Sequence, residues 1–229
     1  MLQVIIFFLI FLLFNCQINA IENKLTININ DKNIAKNDIL NFINNIPIIK
    51  AKFNQLTYVS GRNIKQFGEI IILKPDKIYV KYEINNQNDV IESVVINQDL
   101  MQIIDAKTHQ ISVNNNKDYK NNINNLIYFT NTDYKDVTKF KIIDDNIQIC
   151  FKNNKLINNP LQNKEEIKIN LILCFDCKKL SDNSFKISQI HITDRTNEDM
   201  QTNFILHTIL FDDVVNKDLF NIKSIKSFN

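Results

Sequence analysis

The chain has 229 residues, 45% of them hydrophobic and 23% charged, with a net charge of +2. That is enough apolar content for a folded core, and too small a charge excess to point to nucleic acid. Only two glycines occur, Gly61 and Gly68, which excludes the glycine-rich phosphate loops of nucleotide-binding proteins.

Residues 4–14 form an unbroken apolar run that ends at Asn15. It is too short to span a bilayer and fits the core of a signal peptide, with Ala20 as the small residue at the cleavage point. The expected division is a signal peptide over 1–20 and a single exported domain over 21–229. Cys16 raises a lipid-anchored alternative, but Phe14 and Asn15 stand before it where a lipobox takes small residues.

Residues 21–30 alternate weakly, as a frayed strand or a loose tail would. From 31 to 46 the apolar positions Ile34, Ala35, Ile39, Phe42, Ile43 and Ile46 recur at helical spacing. Asp31 or Asn33 is placed to cap this helix, and Pro47 closes it. The pattern then turns extended, with a strand through Leu56-Thr57-Tyr58-Val59 ending at Ser60-Gly61.

Residues 68–83 read as two strands around a tight turn at Pro75 and Asp76. In the second strand Ile78, Val80 and Tyr82 share one face, and Lys77, Tyr79, Lys81 and Glu83 the other. Lys74 has the parity of the apolar set Ile70, Ile72, Ile78, Val80 and Tyr82. A cation there either snorkels out at a strand end or has a partner.

Further strands are expected over 90–96, 100–104 and 109–113, joined by short polar turns as in an antiparallel meander. An Asn-rich stretch over 114–125 reads as a loop, and Leu126-Ile127-Tyr128-Phe129 as a compact apolar block. Strands follow over 137–143, 146–151, 166–175, 185–193 and 203–211, with connecting loops over 153–164 and 178–184. The whole reads as one predominantly β domain with helical segments early and near the middle.

Little of this chemistry is catalytic. Cys150, Cys174 and Cys177 remain after cleavage at Ala20, and a disulfide between two of them leaves the third free. Cys174-Phe175-Asp176-Cys177 is a C-x-x-C in or just beyond a strand, unlike a thioredoxin site at a helix start, and it supplies only half of a zinc site. His109, His191 and His207 are scattered on strand-like segments, outside any metalloprotease or nucleophile-elbow motif. Asp144-Asp145 and Asp212-Asp213 look like turns. No catalytic residue, metal ligand or cofactor site is expected.

The order of these features resembles the outer-membrane lipoprotein carrier family, the LolA-like proteins of the bacterial periplasm. An amphipathic helix leads to I-K-A-K-F-N-Q over 49–55, similar to the family's A-x-F-x-Q. G-E-I-I-I-L-K-P-D-K-I-Y-V-K-Y over 68–82 is similar to its G-x-L-x-x-x-R-P-x-x-F-x-W-x. Residues 94–110 resemble the segment containing V-S-D-G-x-x-L-W-x-Y-x-P, and residues 187–198 and 220–222 its closing strands. This chain departs from the pattern with Lys74 at the family's Arg, Gln98-Asp99 at its Asp-Gly turn, and Ile78 and Val80 at its aromatic pair.

The resemblance implies a mainly β (α+β) fold, an incomplete antiparallel β-barrel with helices forming a lid over an apolar cavity. It implies a monomeric, non-enzymatic periplasmic carrier with no nucleic acid partner. Such a carrier takes acylated lipoproteins from an inner-membrane ABC transporter of the Lol type to an outer-membrane lipoprotein acceptor. The acyl-chain cavity would be lined by Ile43, Ile46, Phe53, Ile70, Ile72, Ile78, Val80, Tyr82, Leu126, Ile127 and Phe129. Lys74 would latch the lid through Ile43, Phe129 and Thr130. The alternatives are an outer-membrane acceptor anchored through Cys16 and a periplasmic lipid hydrolase; the missing serine elbow argues against the second.

Overall fold

The computed structural model describes residues 24–84, 89–97, 100–115, 136–153, 156–158, 166–168, 170–197, 200–211 and 214–222. The expected signal peptide and the 126–129 block lie outside the described residues. Leu25 forms a reciprocal backbone bridge with Phe185, with N···O distances of 2.8 and 2.7 Å. Leu25 and Ile27 are buried, so the segment before the helix is docked.

Helix α1 spans Lys32–Asn45. Asp31 caps it, its Oδ1 accepting from the Asn33 and Ile34 N–H groups at 2.7 and 3.2 Å. Ile46 leaves in extended geometry before Pro47, whose ring disfavours a helical residue ahead of it. Ala35, Ile39 and Ile43 recur every four residues on one stripe, all fully buried. Burying Ile39 and Ile43 stabilises the docked helix by about 1.5–3 kcal/mol each.

Thirteen strands follow among the described residues. β1 (Ile48–Val59), β2 (Arg62–Leu73), β3 (Lys77–Ile84), β4 (Asp89–Asn97), β5 (Leu100–Asp105) and β6 (Ile111–Asn115) form the expected meander. β7 (Asp136–Ile143) and β8 (Asn146–Asn153) make a hairpin, and β9 (Leu156–Asn158) and β10 (Glu166–Lys168) a separate two-stranded ribbon. β11 (Leu171–Lys179), β12 (Phe185–Asn197) and β13 (Met200–Phe211) return beside β1. The main sheet is antiparallel in the order β6-β5-β4-β3-β2-β1-β13-β12-β11-β8-β7. Because β6 and β7 do not pair, the barrel is incomplete, and α1 lies over its concave face. A short 3-10 helix, Lys217–Phe220, packs on β3 and β4.

Some boundaries differ from the expectation. β2 begins at Arg62, not Gly68. Ser60 and Gly61, both at positive φ (48° and 76°), make a two-residue hairpin turn that sends the chain straight back. Polar residues on both faces of 62–66 hide that strand from period-two reading. The expected strand over 166–175 is two strands in different sheets, β10 and β11. β9 lies inside the expected loop over 153–164, and β11 runs to Lys179 because its ladder to β8 and β12 continues there.

Candidate functional site

The concave face is built by alternation. Phe53 from β1, Ile70 and Ile72 from β2, and Ile78, Val80 and Tyr82 from β3 join Ile43 and Ile46 in one apolar cluster. Seven of these eight are at most 5% exposed; Tyr82 is half-buried at the cluster's side. The other three residues expected here, Leu126, Ile127 and Phe129, lie outside the described residues, as does Thr130.

One row across the face explains a glycine. Phe53, Gly68 and Tyr82 are in register on β1, β2 and β3. The Phe53 ring meets Tyr82 edge-on at 5.4 Å and stacks on Phe204 at 4.6 Å. A Cβ on Gly68 would sit 1.9 Å from the Lys81 carbonyl oxygen and 2.9 Å from the Phe53 ring. Gly68 is therefore the gap into which an aromatic ring fits. A glycine inside an alternating strand was the signal for this, and Phe204 was missed because nothing local to 203–211 announces its partner. The row continues to Glu92 and Asp105, so the face turns acidic at β4. Burial, with Glu92 nearby, pushes the Tyr82 hydroxyl up to about 12. Burial, and then Asp105, raises the Glu92 carboxyl above its ordinary value.

Lys74 occupies the β2–β3 turn, where its peptide bond to Pro75 is cis. Its Nζ donates to the carbonyl oxygen of Ile43, near the end of α1. Its backbone N–H donates to the Pro47 carbonyl at 2.9 Å. The ammonium is only partly buried, and it joins the turn to the last turn of the helix, where free carbonyls favour a cation. On its other flank α1 packs against β7, and Phe42 meets Phe211 edge-on at 5.4 Å.

The convex face holds a disulfide and an Asp–His pair. Cys150 and Cys174 face each other across β8 and β11 and are joined as a disulfide. Cys177 faces the other way, into the apolar cluster, as a free, buried thiol pushed up to about 12 by burial and the Asp176 charge, and so is inert. His191 Nε2 lies 2.8 Å from Asp176 Oδ2, and Gln148 donates to the other carboxylate oxygen at 2.8 Å. This pair was missed because a β-bulge and a hairpin separate its members in sequence. Among the described residues, no three His, Cys, Asp or Glu side chains gather as a metal site.

No family model and no curated protein matches the chain. Solved structures do. The chain is similar to a LolA-superfamily protein of Nitrosomonas europaea at 7% identity and a TM-score of 0.38, over 76% of this chain and 90% of that one. It is similar to an outer-membrane lipoprotein-sorting protein domain of Vibrio parahaemolyticus at 8% identity and a TM-score of 0.43, over 76% and 89% of the two chains. A DUF1329 family protein of Desulfovibrio piger is similar at 7% identity and a TM-score of 0.46, over 80% and 93%.

Proposed function

We propose that this protein is a periplasmic carrier that shelters the acyl chains of lipoproteins under α1 and passes them to an outer-membrane acceptor. The observation that carries the reading is the side-chain bond from Lys74 to Ile43, which ties a helix to the rim of the apolar cluster on the concave face. A helix seated on apolar side chains has few polar bonds to break on leaving. An acyl chain that takes its place gains about 0.8 kcal/mol per buried methylene. A carrier must also release its load, and a helix that returns to the same floor offsets part of that gain.

Lys74 is the latch in this reading, with Ile43, Ile46, Phe53, Ile70, Ile72, Ile78, Val80 and Tyr82 as floor and lid, and Leu126, Ile127 and Phe129 completing them. The Cys150–Cys174 disulfide supports an oxidising compartment outside the cytoplasm. The donor is a Lol-type ABC transporter, and the carrier works as a monomer without catalysis.

The test is to purify the exported form from spheroplast supernatant and analyse what travels with it by mass spectrometry. Acylated lipoprotein bound one to one is expected. A mature protein that carries no acylated species, and takes none from loaded inner membranes, overturns the reading. Acylation at Cys16 would replace it with the anchored acceptor.

A further inference from the structure

A groove of about 470 Å³ crosses the convex face over β2, β1, β13 and β12, on the opposite side of the sheet from the helix. Two adjacent register rows build it. One runs Phe67, Asn54, Ile205, His191; the other runs Lys65, Leu56, Asn203, Thr193. Apolar and polar side chains thus alternate over the β2, β1 and β13 positions, and both β12 positions are polar. Phe67, Leu56 and Ile205 are diagonal neighbours and form the apolar part, with amides, a hydroxyl and a cation around them.

The polar groups are oriented as well as placed. Asn203 Oδ1 accepts from Thr193 Oγ1 at 3.0 Å and from Gln201 Nε2 at 3.3 Å, which fixes its amide and leaves its NH₂ as the donor. His191 is held through Nε2 by Asp176. Asn54 and Lys65 have no polar partner among the described residues. Lys65 is also the only lysine, arginine or carboxylate lining the groove, so its charge has no local counterpart there.

We propose that this groove binds a sugar ring that carries a carboxylate. An acyl chain laid across it would cover Asn54 and Asn203 without returning a hydrogen bond, which costs affinity at each amide. A pyranose ring meets the pattern from both sides. Its C–H faces lie on Phe67, Leu56 and Ile205, its hydroxyls pair with the Asn54 and Asn203 amides, and its carboxylate pairs with the Lys65 ammonium. The volume is that of a small-ligand pocket. The proposal is independent of the carrier reading, because none of the eight side chains in the two rows belongs to the apolar cluster under the helix.

The test is an NMR titration of the ¹⁵N-labelled protein with glucuronic acid and N-acetylmuramic acid. N-acetylglucosamine serves as the neutral sugar and dodecanoate as the acyl probe. The acid sugars are expected to shift amides at 54–56, 65–67, 191–193 and 203–205. Asn54→Ala is expected to weaken every sugar about tenfold. Lys65→Gln should weaken the acid sugars at least fivefold and leave the neutral sugar within twofold. Both positions are exposed, so both variants fold, and unchanged circular dichroism verifies it. Overturning results are the absence of any sugar-dependent shift, equal binding of acid and neutral sugars, or dodecanoate moving these amides in place of the sugars.

Discussion

Two segments cover the same sheet from opposite sides, and they are attached by different chemistry. On the concave side, α1 lays Ala35, Ile39 and Ile43 on an apolar floor, and Lys74 ties its last turn to the rim by a side-chain bond. On the convex side, the Lys217–Phe220 turn covers a row in which Ile71, Tyr79, Val95 and Gln102 are in register. Phe220 is 1% exposed, Gln102 is fully buried, and Asn97 Nδ2 donates to the Phe220 carbonyl at 2.9 Å. An apolar ligand can replace the first cover, because area is nearly all it supplies. It cannot replace the second without leaving the partly buried Asn97 amide short of its acceptor. Under the proposed function, the first cover is the one that leaves and the second stays in place.

The largest effect expected is at the fixed cover. Phe220→Ala should lower global stability by about 4 kcal/mol, the cost of emptying a buried aromatic site. It should do so without raising the binding of a hydrophobic dye or slowing lipoprotein transfer. Chemical denaturation and a transfer assay check the two halves. Impaired transfer with unchanged stability would make the convex cover the moving part and reverse the comparison.

Gly68→Ala comes next, at about 3 kcal/mol of lost stability. Its added Cβ meets a backbone oxygen, which cannot swing aside as a side chain does. The Phe53–Tyr82 contact should loosen as β2 and β3 separate, and near-ultraviolet circular dichroism follows that directly. Ile39→Ala on α1 should cost less, about 2 kcal/mol, at the low end for a buried isoleucine. Here dye binding to the empty protein should rise, since the helix undocks before the sheet melts. A single cooperative loss with no increase in dye binding would make α1 an ordinary core helix.

The sequence made much of the helix-covered side legible, because its signals are local. Capping by Asp31, the four-residue stripe of α1 and the alternation from Ile70 to Tyr82 each lie within one short stretch. The placement of Lys74 beside Ile43 entered through the family resemblance, and the hydrogen bond gives it geometry. The convex side was not legible, because its features are made by register between distant strands. Asp176 meets His191 only through the β11–β12 ladder, and Cys150 meets Cys174 only after the β9–β10 ribbon has left and returned. The groove needs four strands drawn from both ends of the chain. The turn at Phe220 read as a polar end with a few apolar residues, since nothing in its sequence says which face it will cover.

Lys74 carries a smaller effect on stability and a larger one on the balance between closed and open forms. A charged hydrogen bond contributes about 1.5–3 kcal/mol, less where water competes as it does here. Lys74→Leu should raise dye binding to the empty protein and slow the release of bound lipoprotein, because the open form loses its competitor. Lys74→Arg should do the reverse, since a guanidinium offers a planar fork to the carbonyls at the helix end. If both variants match the parent in dye binding and in transfer, the helix is held by its apolar area alone.

The smallest effect marks where the apolar floor ends. Along one row the concave face passes from Phe53 and Tyr82 to Glu92 and Asp105. Burial and the Asp105 charge raise the Glu92 carboxyl in the folded protein above its value in the unfolded chain. Between the two values the native state binds more protons, so stability falls as pH rises through that window. Glu92→Gln removes the titration. The variant should therefore match the parent below the ordinary glutamate range and become the more stable of the two as pH rises above it. Asp105 has the opposite sign. Backbone N–H groups of Thr108 and Lys107 lower its carboxyl, so the stability it contributes is lost as pH falls through its folded value. Asp105→Asn should accordingly cost stability at neutral pH and approach the parent in acid. Urea midpoints from pH 3 to 7 separate the two slopes. Parallel curves for parent and Glu92→Gln would mean that water reaches Glu92 freely, and that the sheltered floor stops at Tyr82.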